Sequence, residues 1–246
     1  VIVLAVASAT GTLRQVNTRN FGWHIARNIS HFTGQNLWFY AITVIPLAQV
    51  FALEFTSPLW VMLLSALILG ERLTLNRVAA AAVGFVGILI VARPSPETFH
   101  IGLVTAALAA IGFAGSAVFT RRLTRTATIT CILFWMTALQ ILFGLICAGI
   151  DGDIALPAPS SWPWVGVIAC AGLVAHFCLT TALSLAPATV VMPIDFARLP
   201  VIALVGVALY AEPLDPFVIL GALLIFGANY TNIWYETRPV RSVTKT

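Results

Sequence analysis

The feature that most constrains this chain is a series of apolar runs, each about as long as a membrane-spanning helix. Of its 246 residues, 60% are hydrophobic and only 9% are charged, whereas a soluble domain carries roughly 25% charged residues. The runs are continuously apolar rather than alternating, which favours helices over the strands of a membrane barrel. The sequence therefore predicts an all-α membrane protein, a polytopic helix bundle.

Eight complete spans follow a shorter apolar stretch, Val1–Thr10. At about 1.5 Å per residue this stretch covers about half of a roughly 30 Å hydrocarbon core. We interpret it as the end of a helix that begins earlier, in a chain that is a fragment. Most of the later runs approach the roughly 20 residues that a span requires. The predicted spans are Ile25–Ile45, Leu47–Gly70, Asn76–Ala92, Ile101–Thr120, Ala127–Ile150, Trp162–Leu185, Ala188–Ala211 and Phe217–Trp234.

The 13 Lys and Arg residues favour one orientation of these spans. If the first stretch ends in the cytoplasm and the spans alternate, Arg93 lies outside and Arg198 lies within a span. Because Lys and Arg are retained in cytoplasmic loops, this distribution predicts a multi-pass protein of the bacterial inner membrane with a cytoplasmic C-terminus. The remaining basic residues all fall on the cytoplasmic side: Arg14, Arg19, Arg27, Arg72, Arg77, Arg121, Arg122, Arg125, Arg238, Arg241 and Lys245.

The net charge of +4 does not indicate nucleic-acid binding, because the basic residues are scattered between apolar runs and form no patch. The cysteines lie within apolar segments and show no CxxC spacing, so neither a disulfide framework nor a metal site is predicted. No cofactor is expected. The expected partners are a small-molecule substrate and membrane lipid, for a protein that is a monomer or a homodimer.

The two halves of the chain resemble each other at an offset of 141 residues. Glu54 then coincides with Asp195, and Glu71 coincides with Glu212. The matched segments have opposite predicted topology, and inverted repeats around a shared central site are typical of secondary transporters. The alternative is an old duplication that now serves only packing.

Several segments resemble the EamA domain of the drug/metabolite transporter superfamily. Those of the first half are Phe39–Ala41, Ile45–Ala48, Thr56–Trp60, Leu69–Leu73 and Gly84–Ile90. The second half of the chain resembles a weaker second copy of this domain, through Ala182, Ala186–Pro187 and Ala211–Leu214. The resemblance covers nearly all of residues 14–236. It implies a ten-helix transporter of amino acids and other metabolites, more often an exporter, with both termini inside and two five-helix repeats.

Against that pattern, the chain lacks the first helix and most of the second. We therefore predict two inverted five-helix repeats, with eight full transmembrane helices and a partial N-terminal one present here. The first repeat, incomplete, occupies residues 1–95 and the second occupies residues 96–236. A basic cytoplasmic tail covers residues 237–246.

The predicted span Ile25–Ile45 is unusually polar. At about 100° per residue, one arc of this helix carries Arg27, His31, Gln35 and Trp38. A polar stripe facing lipid would be costly, so we predict that the last three line a substrate-binding cavity. Arg27 lies near the cytoplasmic boundary and could equally extend to the interface.

Glu54 lies about two turns into the next span. A carboxylate at that depth is expensive and marks a pathway or a proton relay; a neutral acid that ties helices together is the alternative. Pro58 should kink the helix and free backbone carbonyls nearby. We predict a substrate-binding site that also includes Tyr40, Ser57 and Trp60.

In the second half, Asp195 and Arg198 can meet on one helix face. They form either a self-neutralised pair or a switchable pair, in which Arg198 binds a substrate carboxylate or Asp195 accepts a proton. Both residues belong to the predicted substrate-binding set. His176 is interpreted as a packed core residue, and Glu71 and Glu212 as structural anchors at helix ends.

No catalytic residue is predicted, since HExxH and the nucleophile-elbow pattern are absent, and no GxxxxGK[ST] loop indicates nucleotide-driven coupling. The favoured function is secondary active transport of a small, amino-acid-like metabolite across the inner membrane by alternating access, in the export direction and coupled to protons. The alternatives are a non-transporting scaffold or pseudo-transporter fragment and, less favoured, an intramembrane enzyme.

Overall fold

The computed structural model describes residues 2–70, 74–92, 100–150, 152, 154, 156–194, 205, 207–209 and 215–237. Within these residues all regular structure is helical, as the sequence predicted. Short 3₁₀ turns cover Thr12–Gln15 and Pro159–Ser161. The α-helices of this part of the chain are α1 (Ile2–Ala9), α2 (Phe21–Val44), α3 (Leu47–Glu54), α4 (Ser57–Leu64), α5 (Leu75–Ala92), α6 (Ile101–Leu123), α7 (Ile129–Ala148), α8 (Trp162–Leu185), α9 (Ala188–Ile194) and α10 (Pro216–Thr237).

Four helical segments of the described residues are long and apolar enough to cross a membrane. Helix α2 is 24 residues long but is not one of them, because the polar side chains on its inner face lower its hydropathy. The four segments are Gln49–Leu69, Ile101–Leu123, Ile129–Ala148 and Pro159–Leu185. The chain is therefore a membrane helix bundle. Of the predicted span Ala188–Ala211, the structure describes α9 and only a few later residues.

The predicted span Leu47–Gly70 is divided into α3, α4 and a π-helical turn, Ser65–Leu69. Pro58 explains the division, because it lacks an N–H group and its ring clashes with the carbonyl four residues earlier, which is that of Glu54. The Ser57 hydroxyl donates a hydrogen bond to this carbonyl at 2.7 Å. Chain direction is kept across the break, while one side-chain hydroxyl replaces the missing backbone donor.

Helices α2 and α6 make the most extensive contact of the described bundle. Glycines make their approach possible, since a Cβ atom on Gly112 would lie 2.8 Å from the Cα atom of Gly34. Small residues at such crossings are the usual means by which membrane helices pack closely. The α2–α6 pair therefore forms a fixed wall for whatever lies beside it.

Helix α8 is held mainly at its C-terminal end. Only 6% of its most apolar window is buried, and Trp164 and Ile168 are about 70% and 69% exposed, as expected of side chains that contact lipid. Near the other end Thr180 and Leu183 are buried. There the Arg121 guanidinium donates a hydrogen bond to the Leu183 carbonyl at 2.6 Å, which places a positive charge at the helix C-terminus, where it is stabilising.

Candidate binding cavity

A cavity of about 220 Å³ lies between α2, α4, α6, α8 and α9, with the break between α3 and α4 at one edge. Most of its polar lining comes from α2, α6 and α8. The lining residues are Arg27, His31, Glu54, Phe55, Ser57, Pro58, Phe113, Ser116, Ala117, Thr120, His176, Leu179, Thr180 and Met192. The cavity thus places charged and aromatic side chains inside a bundle whose outer surface is apolar.

Among the described lining residues, Arg27 carries the permanent positive charge, and it is only 2% exposed. Its Nε donates to the Thr120 hydroxyl at 3.4 Å, and its Nη1 donates to Asn28 Oδ1 at 3.2 Å. Its Nη2 lies 3.5 Å from Nδ1 of His176. Arg27 is therefore held by neutral groups of α2, α6 and α8. Its partner Asn28 is itself held by α7, because the amide of Gln140 donates to Asn28 Oδ1 at 3.3 Å.

Two histidines from opposite sides meet beside Arg27. The rings of His31 on α2 and His176 on α8 are 4.7 Å apart in an edge-on arrangement. The His31 ring also lies 5.9 Å from the ring of Phe113 on α6. Together these rings form an aromatic wall adjacent to the guanidinium.

Glu54 contributes a carboxylate to the described lining of the cavity and is 8% exposed. The indole Nε1 of Trp38 donates a hydrogen bond to its Oε2 at 2.7 Å. Along α2, Trp38 lies about 16 Å beyond Arg27 at 1.5 Å per residue. The two formal charges therefore lie toward different ends of the cavity.

The structure brings several of the predicted site residues together. His31, Glu54 and Ser57 line the cavity, and Trp38 contacts it through Glu54. Gln35 is half-buried and is not part of the lining.

Two further predicted residues lie elsewhere, and two are not described. Tyr40 is 45% exposed, two residues beyond Trp38 and hence on the opposite side of α2. Trp60 packs against the core cluster that includes Val61 and Ala114. Asp195 and Arg198 lie outside the described residues, as do Glu71 and Glu212.

Sequence reasoning assigned His176 to the packed core and did not single out Thr120. The structure places both at the cavity. A usable signal was present, because His176 and Thr180 are four residues apart on α8, as Ser116 and Thr120 are on α6. Polar residues at this spacing share one helix face, and in a membrane helix that face turns away from lipid.

Apolar helices that enclose a charged, partly aromatic cavity define an integral membrane protein of the kind that moves solutes, since ionisable groups inside spans mark substrate or ion pathways. The chain belongs to the EamA-like transporter family, whose model matches residues 1–93 and 100–233. This match confirms the family predicted from the motifs.

Among its relatives, a riboflavin transporter of Brucella anthropi is 32% identical over 233 residues, which cover 93% of this chain and 82% of that protein. A riboflavin transporter of Vibrio cholerae is 26% identical and covers 98% of this chain and 81% of its own length. An S-adenosylmethionine uptake transporter of Rickettsia felis is 25% identical, and the match covers 87% of this chain and 72% of that protein. A crystal structure of another protein, 19% identical, superposes with a TM-score of 0.69 over 95% of this chain and 83% of that one, and so shares the fold.

Proposed function

We propose that this protein is a secondary active transporter that carries a small organic metabolite across the bacterial inner membrane by alternating access. One observation carries the proposal: a membrane-embedded bundle encloses a cavity that contains Arg27, His31, Glu54 and His176. Such groups are costly inside a membrane and persist there because they bind or move something. Packing alone would be served by apolar side chains.

The substrate proposed first is a polar heterocyclic or amino-acid-like compound. Relatives named for riboflavin and S-adenosylmethionine support a heterocycle, and a cation and a carboxylate toward different ends of the cavity favour a zwitterion. The volume of about 220 Å³ is below the roughly 300–1,000 Å³ of pockets for drug-sized ligands. A larger substrate therefore requires the cavity to widen, which alternating access would provide.

The two repeats, residues 1–95 and 96–236, are proposed to rock against each other around this cavity. The family model matches two successive stretches with a gap between them, which supports the division. We assign substrate contact to His31, Glu54 and Ser57, with Trp38 orienting the carboxylate. Coupling to protons through Glu54 is part of the proposal, and Asp195 is its proposed counterpart.

The proposed direction of transport is export. The family resemblance favours export, whereas the names of the Rickettsia relatives concern uptake. Proteoliposomes measure both directions, because the same preparation can be loaded with substrate or diluted into it.

The test is transport of radiolabelled riboflavin, S-adenosylmethionine and a panel of amino acids into and out of proteoliposomes, with and without an imposed pH gradient. We expect protein-dependent flux of at least one compound, competed by its unlabelled form. Empty liposomes and liposomes that contain an unrelated membrane protein serve as controls. Absence of flux in both directions for all compounds would contradict the proposal and favour a non-transporting scaffold.

A further inference from the structure

Arg27 is a buried cation whose contacts with the described residues are all neutral. Its hydrogen bonds to Thr120 and Asn28 are 3.4 and 3.2 Å long, and its contact with His176 is 3.5 Å. Charge-assisted bonds to an anion are normally about 2.7–2.9 Å. Within the described part of the chain, no carboxylate forms an ion pair with this guanidinium.

A guanidinium keeps its charge throughout the physiological pH range. Removing such an ion from water costs several kcal/mol, and the cost is offset only when an opposite charge and good hydrogen bonds accompany it. The three contacts of Arg27 are long and are made with neutral groups, so they offset this desolvation cost poorly. Among the described residues the site is therefore electrostatically incomplete, and an anion of the right size would complete it.

The geometry around Arg27 limits what that anion can be. Arginine presents a planar fork of donors that matches a carboxylate or a phosphate in two-point contact. This fork faces a cavity that is also lined by the edge-on rings of His31 and His176 and by Phe113. An aromatic wall beside a guanidinium is suited to a ring that carries an acid group.

The cavity volume agrees with a ligand of one ring. An engineered cavity of about 150 Å³ holds benzene, and this cavity is about 220 Å³. The additional volume is available for an acid group.

We propose that the cavity binds metabolites that carry an acid group, with the carboxylate or phosphate on Arg27 and the ring against His31 and Phe113. The proposal rests on the proposed transport function, because it names the substrate class of the same site. It also distinguishes ligand binding by Arg27 from a purely structural role, in which Arg27 only holds α2, α6 and α8 together. A tie would contribute to stability and would not distinguish an acid from its amide.

Benzoate and benzamide are matched probes, since they have the same ring and nearly the same shape but only benzoate is an anion. Their effects are measured on the full chain in detergent, by thermal unfolding and by tryptophan fluorescence, at equal sodium concentration maintained with sodium chloride. We expect benzoate to raise the unfolding temperature of the wild-type protein in a saturable manner, and benzamide to have little effect. Equal responses to the two compounds would overturn the proposal.

The variants are Arg27→Gln and Arg27→Lys, with Arg125→Gln as the control because Arg125 is exposed and is not among the residues that line the cavity. We expect Arg27→Gln to weaken benzoate binding at least tenfold and to abolish the preference over benzamide. Arg27→Lys keeps the charge but loses the fork, so binding should weaken several-fold. The control should behave as wild type.

A benzoate preference that survives in Arg27→Gln would overturn the assignment. If that variant does not fold, an unchanged affinity in Arg27→Lys would do the same. The outcome is separable from the transport assay, because a preference for benzoate with no flux of any compound would contradict the proposed function alone. Flux of a heterocycle without a preference for the acid probe would contradict only the role of Arg27.

Discussion

Glu54 occupies the position at which a proton-coupled transporter would need a titrating group. It is buried, it lines the cavity, and its Oε2 accepts a hydrogen bond from Trp38 at 2.7 Å. A buried carboxylate that exchanges between protonated and ionised forms can couple substrate movement to a proton gradient. A glutamine at this position keeps the shape of the side chain but cannot carry a proton.

We therefore expect Glu54→Gln to lose accumulation driven by a pH gradient while it retains exchange of labelled for unlabelled substrate. The loss should be tenfold or more, which corresponds to about 1.4 kcal/mol. The measurement compares gradient-driven uptake with exchange in the same proteoliposomes. Trp38→Phe is the matched control, because it removes the donor and leaves the carboxylate. Retention of gradient-driven accumulation in Glu54→Gln would exclude this residue as the proton carrier.

Ser57 stabilises the break between α3 and α4. Its hydroxyl lies 2.7 Å from the Glu54 carbonyl and 3.1 Å from the Ala110 carbonyl of α6. We expect Ser57→Ala to lower the free energy of unfolding by about 0.6–1 kcal/mol, the usual contribution of one hydrogen bond in such a setting.

The measurement for Ser57→Ala is unfolding by SDS in mixed micelles. Ser184→Ala is the control, since that hydroxyl also donates to a carbonyl three residues earlier but is exposed. An equal effect of both substitutions would show that the contact with α6 contributes nothing.

Single residues also show where sequence reasoning ends. The polar arc of α2 correctly indicated which face turns inward, and it left the role of Arg27 open because a position near a helix end is compatible with either the interface or the interior. The burial of Arg27 shows that it lies in the interior, and this burial depends on how α6 and α8 pack against α2. His176 was misassigned for a related reason, since a lone histidine in an apolar run gives no information about its neighbours.

At the scale of elements, the α2–α6 crossing provides the sharpest test of packing. A Cβ atom on Gly112 would lie 2.8 Å from both the Gly34 Cα atom and the Ser30 carbonyl oxygen. Both contacts are with backbone, so the helices must separate to accept it. We expect Gly112→Ala to destabilise the protein by about 1–3 kcal/mol, as overpacking does.

Gly144 on α7 is the matched control for Gly112. A Cβ atom there would have no neighbour within 4 Å, and alanine is the better helix former by about 1 kcal/mol. Gly144→Ala should therefore be neutral or stabilising by the same SDS titration. Opposite signs for the two glycines are the expected result, and a loss of similar size in both would contradict close packing at the α2–α6 crossing.

The bounds of a helix were predicted best where apolar residues dominate its sequence. The apolar run of α8 gave its bounds, Trp162–Leu185, without error. The interruption after α3 was foreseen only as a kink at Pro58. Its actual extent depends on Ser57 reaching a carbonyl of α6, and a contact between segments about 50 residues apart has no local signature.

For the whole molecule, membrane class and family follow from the sequence, whereas the cavity does not. Apolar runs and motifs are local properties, and these indicated the bundle and the EamA family. The described lining of the cavity comes from six helices, α2, α3, α4, α6, α8 and α9, so its membership depends on packing angles and on which side of each helix faces inward. Of the predicted site residues that the structure describes, His31, Glu54 and Ser57 line the cavity, whereas Gln35, Tyr40 and Trp60 do not.

Orientation in the membrane remains a prediction that charge alone supports. The basic residues cluster at the end of α6 and in its connection to α7, where Arg122 and Arg125 are exposed, and in the C-terminal tail. Since basic loops are retained in the cytoplasm, the connection between α7 and α8 should lie on the opposite side of the membrane, because α7 is long enough to cross it. A fluorescent protein fused after Thr246 should therefore fluoresce, because it folds in the cytoplasm.

β-Lactamase inserted after Pro157, in the connection between α7 and α8, should protect cells from ampicillin, since it acts outside the inner membrane. The same insertion after Arg125 is the matched control and should give no protection. Both connections reporting from one side would mean that α7 does not span, and the alternation on which the inverted repeat depends would fail with it. If the two insertions gave the reverse results, the spans would still be correct, but the Arg27 end of the cavity would lie away from the cytoplasm. The acid group of a substrate that enters the cell would then meet Arg27 first rather than last.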